Sequence, residues 1–380
     1  MQNKDLSNKK SRLFIDLLVL EKGKSYGFQE YVFNLLNYFY KNRESILYDY
    51  IFIWCKDTEL SLFDDYKDKF LLIGFSCKNN IKRHYLQSWL PFKYNFGGND
   101  LLFSPGNVSG IFKRSPEILT IHDLLYKRAA WLPSKMMRIQ RELLIPISIN
   151  KANKVIAISN FTKRDIEGYY PKAVGKVEVV YNAMNFSKYD NIKQSLICDY
   201  FIAISTNYNY KNQRTIITAF SEYCKRGGNK KMLFVGRISP ESEAGKEYDR
   251  LAQEVKDKVI FKSHITNEEL GGLYKNASCF ISASLFECLG MPVVEAMSFG
   301  LPVLLSDLDV HREVSMNKGI YFKPTDYDDL AEKMLKMDFS KRDYAEDIKE
   351  RYSEDNTGAK YVEIINNMQL LVSSKNIKRR

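Results

Sequence analysis

The stretch from Ser282 to Asp307, SASLFECLGMPVVEAMSFGLPVLLSD, constrains the fold more than any other part of the chain. It holds a strand end, a loop bearing Glu287, a short glycine- and proline-bounded helix bearing Glu295, and a second apolar strand. Gly290 and Pro292 bracket Met291, so the chain turns sharply there, and proline falls in the first helical turn, where its missing N–H costs nothing. A helix is therefore expected from Met291 or Pro292. The free amides of Leu289, Gly290 and Met291 then converge at the positive end of the helix dipole, which suits phosphate oxygens. Glu295 lies about one turn further in, where a carboxylate would repel phosphate but accept two hydrogen bonds from a ribose diol. Glu287 follows an apolar strand, in the kind of loop where ligands of open α/β sheets collect. Gly300 closes the helix, and LPVLL at 301–305 reads as a buried parallel strand. The whole stretch reads as a site for the diphosphate of a nucleotide sugar.

Glu287 and Glu295 with seven residues between them, the SLFE opening, the Gly290-x-Pro292 turn and the EAMSFGLPV run resemble the Glu-x7-Glu signature of glycosyltransferase family 4, retaining enzymes of the GT-B fold. Cys288 stands where that family usually has glycine. The resemblance covers nearly the whole chain, tightly over Ile118 to Asn182 and Phe201 to Pro324, loosely before Glu117. It implies an α/β protein with two Rossmann-like, doubly wound domains facing a central cleft. Residues 1–190 would form the acceptor domain and 191–355 the nucleotide-sugar donor domain. Residues 356–380 would supply a helix that crosses back to the first domain and the basic tail KNIKRR.

The resemblance also assigns residues outside the opening stretch. A strand-like run, EILTIHDLLY at 117–126, ends in His122-Asp123, at the strand edge where sites form in such sheets. The match to the family's His-Asp step implies that His122 faces the hydroxyls of the donor sugar and that Asp123 caps or orients locally. Gly27 matches one glycine of the family's Gly-x-Gly turn, with Gln29 at the second, and is carried over as a diphosphate contact. Lys211 lies at the spacing of the lysine that binds the donor diphosphate, although Ser205 and Thr206 depart from the family pattern upstream. A departing diphosphate needs positive charge, so Lys211 is the expected electrophilic residue. The backbone from Ser263 to Ile265 falls where family members hold the nucleobase. Asp307-Leu308-Asp309 superficially suggests a metal motif, but the family binds its donor without metal, so neither a metal nor a cofactor is expected.

Composition narrows the classes further. With 380 residues, 45% hydrophobic and 27% charged, the chain can fill two cores. Six dispersed cysteines without a C-x-x-C or Cys/His spacing argue against a disulfide framework or a zinc site and fit a reducing cytoplasm. The apolar run after the polar N-terminus is broken by Asp16, too short for a signal peptide or a spanning helix. Residues 1–190 hold 29 Lys and Arg against 19 Asp and Glu, or +10, whereas residues 191–380 hold 28 against 27, or +1. The first half therefore expects an anionic partner, a lipid head group, a diphosphate-linked acceptor or nucleic acid, unless its lysines are simply solvated. Residues 127–150, with Trp131 among basic residues, allow two readings: a helix packing its Met/Leu face on the sheet, or a surface meeting a membrane or lipid-linked acceptor.

The expected activity is that of a retaining, metal-independent hexosyltransferase. It would move sugar from a UDP- or GDP-sugar to a glycan or undecaprenyl-diphosphate-linked acceptor in surface polysaccharide synthesis. The place would be the cytoplasm, with peripheral contact at an anionic inner membrane. Glu287, His122 and Lys211 would act on the sugar and leaving group, with Gly27, Leu289, Gly290, Met291 and Glu295 holding the donor. The rivals are another GT-B activity, such as a nucleotide-sugar epimerase or a phosphorylase, and a non-catalytic basic binding protein. Nucleic acid is not expected, since the chain lacks basic repeats interleaved with aromatics.

Overall fold

The computed structural model describes residues 10–23, 26–128, 135–193, 198–204 and 208–377. Trp131, Ser205, Thr206, part of the Gly23–Gly27 turn and the end of the basic tail lie outside them. Contacts divide the chain into one unit of Met1–Met184 with Glu354–Arg380, and a second of Asn185–Ser353.

The first unit holds β1 (Arg12–Asp16), β2 (Tyr50–Lys56), β3 (Leu71–Phe75), β4 (Asp100–Ser104), β5 (Glu117–Ile121), β6 (Lys154–Ala157) and β7 (Val177–Val179). They form one parallel sheet in the order β3-β2-β1-β4-β5-β6-β7. Successive side chains of β1 enter opposite cores: Leu13 and Ile15 join Leu35 and Phe39, while Phe14 joins Phe52 and Trp54. Apolar residues on both faces are what a covered parallel sheet requires. The apolar run at 13–20 stops being a strand at Asp16. Its Oδ1 accepts the Leu18 N–H at 3.1 Å, and the Leu20 N–H turns back to the Leu17 carbonyl at 2.9 Å.

Three helices complete what matters for the site. The Tyr26–Lys41 helix packs beside the C-terminal Glu354–Ile377 helix, where a Cβ on Gly358 would lie 2.2 Å from Tyr38 Cγ. Glycine alone permits that approach. Tyr31 OH ties the same pair together, 2.9 Å from Tyr361 OH and 3.2 Å from Thr120 Oγ1. The polar segment after β3 forms an Asn80–Lys93 helix capped by Asn79, whose side chain accepts the Lys82 N–H at 2.9 Å. The Lys135–Lys151 helix overturns the reading in which its Met/Leu face covers the sheet. Ile145 and Ile149 point inward instead, leaving Met136 74%, Leu143 62% and Ile139 54% exposed.

The second unit holds β8 (Tyr200–Ile204), β9 (Lys231–Val235), β10 (Val259–Lys262), β11 (Cys279–Ser282), β12 (Val303–Ser306) and β13 (Ile320–Phe322). Their parallel order is β10-β9-β8-β11-β12-β13. Thr266 and Glu269 form a capping box at the start of the Asn267–Asn276 helix. In each sheet the winding reverses beside the first strand, between β1 and β4 and between β8 and β11. Ligands of doubly wound sheets bind at the carboxyl ends of strands flanking such a reversal. Among the described residues no helix is long and apolar enough to cross a membrane.

Candidate active site

In the second unit, the loops after β8 and β11 flank the reversal and are bonded to each other. Asn212 adopts a left-handed conformation, φ 51°, just before the Gln213–Lys225 helix. Its Nδ2 donates to the Ala283 carbonyl at 3.1 Å and to the Pro324 carbonyl at 2.8 Å. The Leu285 N–H donates to the Tyr210 carbonyl at 2.7 Å. With the loops fixed this way, Lys211 Nζ meets Glu287 Oε1 at 2.5 Å, and Ser284 Oγ donates to the same oxygen at 2.8 Å. Burial pushes the Glu287 pKa up, but Lys211 and the Ser284 hydroxyl outweigh it and hold the carboxylate below its ordinary value.

Gly290 caps the Met291–Ser298 helix with φ 80° and ψ 55°, a conformation that glycine adopts without strain. The Val293 N–H closes back on the Gly290 carbonyl at 2.9 Å. Lys211, Ser284, Glu287, Gly290, Pro292 and Val293 line one hollow of ≈ 90 Å³. Three of the residues singled out from sequence, Lys211, Glu287 and Gly290, thus share one wall. Leu289 is buried and Met291 opens the helix, both adjacent in chain to Gly290.

Glu295 stands apart from that hollow. It is buried, with Oε1 accepting from Lys188 Nζ at 2.8 Å and Oε2 from Tyr274 OH at 3.1 Å. Any diol reaching it must compete with those two donors. The Asp307 carboxylate is likewise taken, by Arg312 at 2.6 and 2.9 Å. Among the described residues no group of three or more His, Cys, Asp or Glu is placed to hold a metal ion.

Sequence reasoning passed over His311. It is wholly buried, and its Nδ1 lies 2.8 Å from the Ser306 carbonyl, so Nδ1 carries the proton and donates. Burial lowers its pKa, which keeps the ring neutral with Nε2 as a bare acceptor. Among the described residues that nitrogen has no hydrogen-bond partner, and a Cβ on Gly290 would lie 3.9 Å from the adjacent Cδ2. The ring therefore sits directly beneath the glycine turn.

In the first unit, a cleft of ≈ 610 Å³ opens at the β1/β4 reversal. Val19, Glu21 and Phe28 from beyond β1, Gly106 and Asn107 from beyond β4, and His122 and Asp123 from beyond β5 line it, opposite Arg83, His84 and Gln87. His122 Nε2 donates to the Pro105 carbonyl at 2.7 Å, and its N–H to Asn107 Oδ1 at 2.6 Å. Edge-on contacts with Phe28 and Tyr31, at 5.3 and 4.8 Å, hold the ring. Burial lowers the His122 pKa, so the ring is neutral and Nδ1 is its acceptor. Asp123 caps the Leu125 amide at 3.0 Å and pairs with Arg141 at 3.0 Å. Gly27 lies in the first turn of the Tyr26–Lys41 helix, outside this lining.

Two doubly wound sheets of this order are those of the GT-B class. The fold matches the crystal structure of Anabaena Alr3699/HepE in complex with UDP, with TM-score 0.67, 15% identity, and coverage of 94% of this chain and 100% of that one. Residues 99–188 match the model for Glycosyltransferase Family 4, and residues 195–354 that for Glycosyl transferases group 1. These matches support a GT-B glycosyltransferase of the family 4 type. It is similar to the O-antigen chain mannosyltransferase RfbU of Salmonella typhimurium, 27% identical over 241 residues that span 63% of this chain and 65% of that one. It also resembles the serotype-specific mannosyltransferase WbdA of Escherichia coli, 24% identical over 290 residues, 65% of this chain and 35% of that one. The match thus spans less than two thirds of either curated relative.

Proposed function

We propose that the protein transfers a sugar, with retention and without metal, from a nucleotide-diphosphate donor to a glycan or lipid-linked acceptor in surface polysaccharide synthesis. The observation that carries this reading is the Lys211–Glu287 contact beside the Gly290 turn. Lys211 neutralises the departing diphosphate, assisted by the amides of Leu289, Gly290 and Met291 and by Gly27. Glu287 and His122 hold the sugar and stabilise charge at its anomeric carbon, and Glu295 takes the ribose. The bond from that carbon to the diphosphate oxygen breaks, the acceptor oxygen bonds on the same face, and its proton passes to the leaving phosphate. The names of the O-antigen mannosyltransferase relatives and of the UDP-bound neighbour support both the polysaccharide context and the donor class.

The test is a panel of UDP- and GDP-sugars, headed by a mannosyl donor, given to the purified chain. One donor is expected to raise the melting temperature and to be slowly hydrolysed to nucleoside diphosphate and a free sugar of unchanged anomeric configuration. Neither stabilisation nor hydrolysis across the panel defeats the reading, and an inverted product removes the retaining mechanism. The apolar stripe of Met136, Ile139 and Leu143, with basic residues beside it, supports a peripheral contact with anionic lipid. Vesicles containing anionic lipid should therefore sediment the protein, and should cease to do so for Met136→Ser/Leu143→Ser.

A further inference from the structure

Among the described residues, one charge lining the first unit's cleft makes no ion pair. Four side chains there form a chain of hydrogen bonds whose direction is fixed. Gln87 Nε2 donates to Asp16 Oδ2 at 2.8 Å, which turns Gln87 Oε1 toward His84 Nδ1 at 3.0 Å. His84 Nδ1 must therefore carry the proton, leaving His84 Nε2 to accept from Arg83 Nη2 at 3.2 Å. Burial and the neighbouring guanidinium bring the His84 pKa down to about 4, which keeps that acceptor free of a proton at neutral pH. The chain locks the Arg83 side chain against the cleft wall.

The other charges lining the cleft are compensated. Glu21 pairs with Lys56, and Asp123 with Arg141 at 3.0 Å. Arg83 makes no ion pair among the described residues, and its buried Nε–H finds no acceptor. Asp16 and Glu21 act on it through space without a direct ion pair, and Asp16 is joined to it by hydrogen bonds through Gln87 and His84. A buried charged donor without an acceptor is costly for a fold to retain. The Arg83 residue lines a cleft within the size range of small-ligand sites. A guanidinium presents N–H groups in a planar fork that matches the two oxygens of an oxyanion.

We propose that Arg83 is a binding residue for a singly charged oxyanion carried by the acceptor, either the carboxylate of an acidic sugar or a phosphodiester oxygen pair. One cation without a direct ion pair calls for one negative charge, and both groups offer that charge on two oxygens. The assignment of this anion to an acceptor rests on the glycosyl-transfer reading. The site itself does not.

Three probes distinguish the sources: methyl glucuronide for the carboxylate, dimethyl phosphate for the phosphodiester, and methyl glucoside as the neutral control. Their binding to the full chain is measured by saturation-transfer NMR. At least one anionic probe should bind more than about fivefold tighter than the control, and should weaken as salt rises from about 0.02 to 0.3 M. The probe that binds identifies the source. Arg83→Gln should erase the preference, while Arg83→Lys, which keeps charge without the fork, should retain part of it. Equal affinity for all three probes, or an Arg83→Gln protein that keeps the preference, overturns the proposal. Nucleotide binding is followed in parallel and should be unchanged in Arg83→Gln. A wild-type protein that binds the oxyanion but no nucleotide would sink the glycosyl-transfer reading and leave the oxyanion site standing.

Discussion

In the second unit the lysine, the carboxylate and the glycine turn come from two bonded loops, and the last two lie within four residues of each other. In the first unit the same winding reversal is lined by groups drawn from Val19 through Arg141, several of them on a helix rather than at strand ends. The hollow of the second unit is ≈ 90 Å³ and the cleft of the first ≈ 610 Å³. On the proposed reading a diphosphate is a constant chemical feature, met by a helix start whose geometry is local in sequence and by one lysine from the loop after β8. A larger and more variable partner needs groups that only tertiary structure can bring together. The charge imbalance between the two halves of the chain follows the same division.

The largest expected effect tests whether the second unit's site is as concentrated as it looks. Lys211→Ala should lower kcat by about 10²–10³, as loss of one electrostatic stabiliser does elsewhere. Glu287→Ala should fall in the same range, and Glu295→Ala should mainly weaken donor binding. These values come from steady-state rates and nucleotide titration. Unimpaired transfer by Glu287→Ala would remove the role assigned to it.

Acid should act on the two units with opposite sign. Asp16 is buried, and burial raises its pKa from 3.8 to about 6, against the pull of Gln87, the Leu18 amide and Arg83. The folded state therefore binds this proton more tightly than the unfolded state, so the group's contribution is fully present below pH 3.8 and lost as pH rises through about 6. At about 1.4 kcal/mol per unit, the loss is on the order of 3 kcal/mol. Glu287 has a lowered pKa, so its contribution is present above the ordinary carboxylate range and is lost as pH falls through the depressed value. Denaturant melts across pH should show Asp16→Asn flattening the decline between pH 4 and 7, and Glu287→Gln changing only the more acid limb. If both variants shifted the same limb, the two carboxylates would not differ as described.

The difference between the units also explains what could be read from sequence. The Gly290 turn, the helix from Met291 and the Thr266–Glu269 capping box are short-range features whose spacing states their geometry. The meeting of Lys211 with Glu287 depended on Asn212 and its two carbonyl partners, which no local pattern announces. Glu295 was read for a ribose diol, but Lys188 approaches it from 107 residues away. The Asn80–Lys93 helix was invisible because it is inside out. Tyr85 and Trp89 are 59% and 49% exposed, while Gln87 and Ser88 are buried. A polar face at 80, 83, 84 and 87 opposite those aromatics was the one available signal. In the Lys135–Lys151 helix, Ile145 and Ile149 make one apolar stripe, and Met136, Ile139 and Leu143 make another. Periodicity shows which residues share a face, not which face the sheet takes.

The smallest effect is the sharpest check on the glycine turn. A methyl group at Gly290 would meet Val293 Cγ2 at 3.6 Å and His311 Cδ2 at 3.9 Å, both ordinary van der Waals contacts. The cost of Gly290→Ala therefore comes from backbone alone, φ 80° in an L-residue, about 1–2 kcal/mol. Denaturant unfolding should show that loss. Because the Leu289, Gly290 and Met291 amides keep their direction only if the left-handed turn persists, nucleotide affinity should fall with it. Lys211→Ala should weaken nucleotide binding while leaving the turn intact, so the double variant separates the two contributions. If the Gly290→Ala protein lost stability but bound nucleotide as tightly as before, the amides would not contribute, and the lysine alone would carry the diphosphate.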